Sequence, residues 1–140
     1  MTARTAHCSC GSLRVMTEGE PYAVSMCHCT ACQRRSGSPF GVGAYFKTTQ
    51  VRVEGAHREW SRLGTSGGRL TNHFCPTCGS AVFWTTDYHP GGMGIGVGSF
   101  ADRGFPPPIR SVWEAHKHDW VEPPVDDRFV EASNGPRVAS

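Results

Sequence analysis

Cys8-Ser9-Cys10-Gly11 and Cys75-Pro76-Thr77-Cys78-Gly79 decide how this chain is built, and Cys27-His28-Cys29-Thr30-Ala31-Cys32 lies between them. Two thiolates on one tight turn can grip a single ion, and all seven cysteines of the chain fall in these three groups. Cys10 and Cys78 are each followed by glycine, which takes positive φ and lets backbone N–H groups aim at sulfur. Cys32 is followed by Gln33 instead. The two cysteine-glycine knuckles are therefore predicted to share one ion, held by Cys8, Cys10, Cys75 and Cys78. Such a closed four-sulfur set holds a fold together rather than doing chemistry. It ties the first strand to a hairpin far along the chain. His7 and His73 adjoin this set, but its four sulfurs already fill it.

Cys27, Cys29 and Cys32 are left over. Cys27 and Cys29 share one face of an extended strand end, and Cys32 returns from the start of a short helix. His28 points the other way while the chain stays extended, and is the alternative fourth ligand. Three thiolates on zinc leave one position open and a formal charge of minus one, which weakens the acidification of bound water. Soft sulfur ligands suit capture of an incoming thiol, which loses its proton on coordination.

Bulk composition agrees with a metal-stapled domain. Seventeen Gly and ten Pro in 140 residues, with 38% hydrophobic residues, give a turn-rich chain with a thin core. Metal binding adds its free energy to folding in such a chain. Fourteen Lys and Arg stand against twelve Asp and Glu, a net charge of +2 with no basic run. Nucleic-acid and membrane-surface binding are not indicated. No apolar stretch approaches the ~20 residues of a membrane span. The first residues lack the apolar core of a secretory signal, so the expected location is cytoplasmic. Reduced thiols in close groups then read as metal ligands rather than a disulfide framework. The oligomeric state is left open.

Short apolar runs separated by turn residues predict a mainly β domain, with strands at 12–17, 22–26, 40–46, 51–54, 58–62, 70–74, 81–85 and 93–97. Leu13, Val15 and Thr17 alternate with polar neighbours and form a buried face. One short helix is expected over Thr30–Ser36, capped by Thr30 and ended by Gly37. The glycine-rich run 91–98 lacks a Gly-Lys-Ser/Thr ending, which argues against a phosphate loop. It reads as a strand whose glycine face admits another backbone or a metal loop. Pro106, Pro107 and Pro108 make 105–109 an extended crossing segment. The expected organisation is a zinc-binding domain over 1–124 and a C-terminal tail over 125–140 that runs on the surface or frays.

Candidate substrate contacts follow from position. Arg34 and Arg35, just after Cys32, are placed to meet a carboxylate, with a solvated helix face as the alternative. One of Phe83 and Trp84 is expected in the core by strand alternation. His116 and His118 are candidate proton donors.

Three stretches together resemble the glutathione-dependent formaldehyde-activating enzyme (GFA) family, which includes centromere protein V-like proteins. They are His7-Cys8-Ser9-Cys10-Gly11-Ser12-Leu13, Cys27-His28-Cys29-Thr30-Ala31-Cys32-Gln33-Arg34-Arg35-Ser36-Gly37 and His73-Phe74-Cys75-Pro76-Thr77-Cys78-Gly79-Ser80. With Val97-Gly98-Ser99-Phe100-Ala101-Asp102 and the Trp113 to Trp120 stretch, the likeness covers residues 5–120. The resemblance implies a small zinc-stapled β-tent with zinc-ribbon-like knuckles and two zinc ions per chain. Cys8, Cys10, Cys75 and Cys78 would hold the structural zinc, and Cys27, Cys29 and Cys32 the catalytic one. It also implies a small thiol and an aldehyde as substrates. The family's named reaction condenses formaldehyde with glutathione to S-hydroxymethylglutathione, classed in reverse as a carbon–sulfur lyase. The alternative is a non-catalytic, zinc-stapled module that docks a protein or nucleic acid. A purely structural module needs a fourth ligand for its second ion, so the seventh cysteine separates the readings.

Overall fold

The computed structural model describes residues 1–139. Among these the chain forms β1 (Ala3–His7), β2 (Arg14–Glu18), β3 (Ala23–Cys27), helix α1 (Thr30–Ser36), β4 (Gly41–Lys47) and β5 (Val51–Glu54). There follow β6 (Arg58–Leu63), β7 (Arg69–Phe74), β8 (Ala81–Thr86), β9 (Gly92–Gly96) and β10 (Arg110–Val112). The fold is mainly β, as the turn-separated apolar runs require. The chain visits two compact units alternately. The first holds Met1–Tyr22 and Ala44–Phe105, the second Ala23–Gly43 and the residues from Pro106 onward.

In the first unit β1, β2 and β5 form an antiparallel sheet in the order β1-β2-β5. Leu13, Val15 and Thr17 are all fully buried, on the face that their alternation with Arg14 and Glu18 predicts. Ala6 pairs with Val15 and shares that burial. The β1 strand escapes sequence reading because Ala3-Arg4-Thr5-Ala6-His7 carries no large apolar residue; its order comes from pairing with β2. Strands β6 to β9 pair antiparallel in sequence order.

The β8 strand corrects an expectation. Val82, Phe83 and Trp84 are all buried, so both faces of the strand are covered rather than one. Phe83 is roofed by His73, whose ring stacks on it at 4.4 Å, and by the edge of His57 at 5.3 Å. Trp84 lies over β9. A Cβ on Gly94 would overlap the Trp84 indole, and one on Gly92 would overlap the Tyr22 hydroxyl. The glycine face of this strand therefore admits aromatic side chains, not a backbone or a metal loop. Bulky rings need the space that a backbone ladder would leave to side chains.

In the second unit β3 and β10 pair in parallel, Val112 level with Cys27. β10 is invisible in the sequence because it is a three-residue strand behind a proline run. Helix α1 runs over Thr30–Ser36 as expected and ends at Gly37, whose φ of 69° is left-handed. Its cap is Cys29, not Thr30: the Cys29 sulfur accepts the Cys32 N–H at 3.2 Å. A sulfur lone pair does the work that a serine or threonine oxygen does at an ordinary N-cap.

From 126 to 139 the chain lies mostly on the surface, one of the two expected outcomes, and it is anchored there. Phe129 is buried, Phe129 N–H donates to Ser111 O, and Ser111 N–H donates to Asp127 O. One buried aromatic and a short backbone ladder anchor a stretch that composition makes look loose. No helix among the described residues is long and apolar enough to cross a membrane.

The Gly94 contact makes a test. Gly94→Ala forces a methyl into the indole of Trp84, and overpacking of this kind costs about 1–3 kcal/mol. Gly98→Ala, with nothing within 4 Å of the added carbon, should stay within about 0.5 kcal/mol. Denaturant midpoints of the two variants check the difference.

Candidate metal centres

All seven cysteines are free thiols, and they gather into two groups. The sulfurs of Cys8, Cys10, Cys75 and Cys78 lie within 4.8 Å of one another, all inside the first unit. Two turns of one design present them. Cys8 N–H donates to Leu13 O and Cys75 N–H to Ser80 O, each at 3.0 Å. Gly11 at φ 81° and Gly79 at φ 80° return their N–H groups to Cys8 O and Cys75 O. The positive φ read from the two cysteine-glycine pairs is thus what turns the chain.

Backbone donors then reach the sulfurs. Leu13 N–H lies 3.3 Å from Cys8 Sγ, and Thr77 N–H 3.4 Å from Cys75 Sγ. Two hydroxyls that sequence reasoning passed over complete the cradle. Ser12 Oγ sits 3.1 Å from Cys10 Sγ and 3.3 Å from Cys75 Sγ. Ser80 Oγ sits 3.4 Å from Cys78 Sγ and 2.9 Å from Ser9 Oγ, joining the two knuckles. The signal was present, since both knuckles continue as Cys-Gly-Ser. The Ser80 hydroxyl and backbone N–H groups bring the Cys78 thiol down to about 5. Ser12 and the Cys78 N–H bring Cys75 down to about 7.

Donor geometry can be set against an ion. Tetrahedral zinc with sulfur bonds of about 2.3 Å spaces its sulfurs about 3.8 Å apart. Cys8 and Cys10 are 3.6 Å apart, Cys10 and Cys75 3.7 Å. The set fits. The neighbouring histidines are engaged elsewhere: His7 Nδ1 lies 2.6 Å from Cys8 O, and His73 Nδ1 3.0 Å from His57 Nδ1.

Cys27, Cys29 and Cys32 form the other group, again with all sulfurs within 4.8 Å, inside the second unit. Cys27 ends β3, Cys29 caps α1 and Cys32 lies in its first turn. No fourth His, Cys, Asp or Glu joins them among the described residues. Packing against the Cys29 and Cys32 thiols, with burial, pushes the Cys27 thiol far up, so it does not ionise unaided. Three convergent sulfurs suit a soft divalent cation.

His28 is not among these donors. Its ring is wholly buried, packs on Phe40, and places Nε2 2.9 Å from Ser111 Oγ. Burial holds it neutral. The extended backbone between two cysteines turns it inward, as the alternation of a strand demands.

The two arginines part company. Arg34 is exposed, whereas Arg35 is half-buried with its guanidinium over Gly41. A Cβ at Gly41 would meet Arg35 Nη2 at 2.6 Å and the Cys32 Cβ at 3.5 Å, so the bare glycine lets the cation lie beside Cys32. His116 and His118 are both exposed. His118 packs its edge on Trp120, and the His116 carbonyl accepts from Gln33 Nε2.

The family model for the glutathione-dependent formaldehyde-activating enzyme matches residues 3–121, with both cysteine groups inside the match. The chain belongs to this GFA family. No curated protein matches it. A crystal structure of a Rhodobacter sphaeroides protein is similar, with TM-score 0.55 and 24% identity, covering 74% of this chain and 91% of that one. That likeness speaks for the fold alone.

Within this GFA domain the thiols differ enough to be told apart without metal. In chelator-treated protein at about pH 6, exposed Cys78 should alkylate fastest, because its thiolate already predominates there. Its rate should fall only as pH drops through about 5. Cys27 should stay unreactive across the same range, its thiol being held protonated. Iodoacetamide labelling read peptide by peptide checks this order.

Proposed function

We propose that the protein is a two-zinc, thiol-handling enzyme that joins a low-molecular-weight thiol to an aldehyde, or runs the reverse carbon–sulfur cleavage. Cys8, Cys10, Cys75 and Cys78 would hold a structural zinc. Cys27, Cys29 and Cys32 would hold the catalytic one. The observation that carries the reading is the three-sulfur group, with no fourth ligand beside it among the described residues, together with membership of the GFA family. Bound there, zinc would supply an acidic centre that favours the thiolate form of a substrate thiol.

The chain's own residues shape what enters. Cys27, Cys29 and Cys32, all on one short loop, would hold the zinc by themselves. His28, turned into the core, keeps its imidazole from joining them. Arg35 beside Cys32 offers a planar, permanently charged fork to a carboxylate, which favours a peptide-like thiol such as glutathione over a neutral one. In the forward reaction the thiol sulfur forms a bond to the aldehyde carbon and the carbonyl π bond breaks. The thiol proton ends on the new hydroxyl oxygen. With formaldehyde and glutathione the product is S-hydroxymethylglutathione, and no electron is gained or lost.

Three experiments bear on this. Cys78→Ser should lower metal content and stability together, while Cys32→Ser should lose one metal equivalent with the fold retained. Equal unfolding of both would make both centres structural. Sulfur-edge or zinc-edge absorption during titration with glutathione should add a fourth sulfur at the three-cysteine centre. A permanent nitrogen ligand that no thiol displaces would turn the assignment toward a binding module. Arg35→Ala should raise KM for a carboxylate-bearing thiol about tenfold, the scale of a charged hydrogen bond, with Arg34→Ala near unchanged.

A further inference from the structure

The buried pair of His28 and Ser111 behind the three-cysteine loop is the start of a longer polar chain. His28, between two of the cysteines, is wholly buried and places Nε2 2.9 Å from the wholly buried Ser111 Oγ. The Ser111 hydroxyl faces the carboxylate of Glu114, a side chain only 3% exposed. Glu114 is gripped by Arg128, with Nε 2.8 Å from Oε2 and Nη2 2.7 Å from Oε1. An ionised carboxylate only accepts, so the single Ser111 proton turns to Glu114 and His28 donates from Nε2.

The backbone repeats the connection. His28 N–H donates to Val112 O, and Trp113, next in the chain, is one of two non-glycine residues at positive φ among the described residues, at 58°. A left-handed tryptophan persists only where its surroundings impose it. The imposing contacts come from the C-terminal segment: Trp113 N–H donates to Glu131 O, Glu114 N–H to Phe129 O and Ala115 N–H to Val130 O. Residues 127–131 lie beyond the family match, which ends at residue 121.

We propose that residues 127–131 are a strap that positions the three-cysteine loop, acting through Arg128, Glu114, Ser111 and His28. The strap fixes the turn after β10, the turn fixes Glu114 under Ser111, and Ser111 fixes the ring whose flanking residues carry two of the three sulfurs. These are positioning residues, since none reaches the sulfurs. The idea rests on the reading that Cys27, Cys29 and Cys32 bind metal.

The test measures the free zinc concentration at which each cysteine peptide of the full chain becomes protected from iodoacetamide. Ser111→Ala and Arg128→Met should each raise the half-protection concentration of Cys27, Cys29 and Cys32 about tenfold or more, the usual cost of losing an orienting partner. Cys8, Cys10, Cys75 and Cys78 should protect as before. Because the two residues act in one chain, the double variant should shift no further than the larger single. If Arg128→Met does not fold, Glu114→Gln with Arg128→Gln removes both charges, leaves no unpaired buried carboxylate, and carries the same expectation. Unchanged protection in the variants overturns the strap. So does an equal shift in both cysteine groups, which is general destabilisation, or a fully additive double variant. An unmodified protein in which zinc never protects Cys27, Cys29 and Cys32 overturns the metal reading itself, and the strap with it.

Discussion

Four sulfurs drawn from two turns 65 residues apart occupy one point of the first unit, and the rest of that unit is arranged around them. Thiolates at such spacing repel one another strongly, so the arrangement needs positive charge or hydrogen-bond donors directed inward. The backbone supplies the donors through two glycine-hinged turns of the same design, and Ser12 and Ser80 supply hydroxyls. What remains uncompensated is the charge that a divalent cation would cancel. The strands entering and leaving these turns are thereby fixed in direction: β1 and β2 at one knuckle, β7 and β8 at the other. Burial of Leu13, Val15, Val82 and Ile95 follows from those directions, each such side chain contributing about 1.5–3 kcal/mol.

The second unit meets the same electrostatic problem with fewer means. Its three sulfurs come from one six-residue stretch, so the loop has no distant partner turn to hold it open. One sulfur is spent as a helix cap, and Gly37 stops the helix after two turns. Rigidity has to come from behind, where His28, Ser111 and Glu114 are packed without solvent. A buried carboxylate is tolerable there because Arg128 meets it with two nitrogens, and burial of one without the other would be costly. The contrast explains why one cysteine group is saturated with sulfur and the other is not. Closure by two turns yields four donors; closure by one loop yields three.

Much of this was legible in the amino-acid sequence, and for identifiable reasons. The 51–54 strand and the 30–36 helix run as read, because period-two alternation and a terminal glycine are local signals. The grouping of the cysteines was local too, since a glycine after the second cysteine announces the turn. What escaped is long-range. His28 and Ser111 are 83 residues apart and individually ordinary, and neither announces the other. Strand β1 depends on a partner strand for its order, β10 on β3. The glycine face of β9 was read correctly as a close approach, but not what approaches it, because Trp84 and Tyr22 come from other strands and loops.

Size sets the final constraint. A chain of 140 residues divided between two compact units gives neither of them a large apolar core. The first unit spends its aromatics sealing a strand on both sides. The second, the smaller, buries a histidine, a serine and a carboxylate where a larger domain would place leucines. Buried polar groups of that kind add little net stability but fix one geometry, provided each finds its partner. A loop that converges three sulfurs gains more from a fixed geometry than from extra stability. The polar interior behind Cys27 and Cys29 is thus the economical solution for a small unit that must keep three sulfurs in one arrangement.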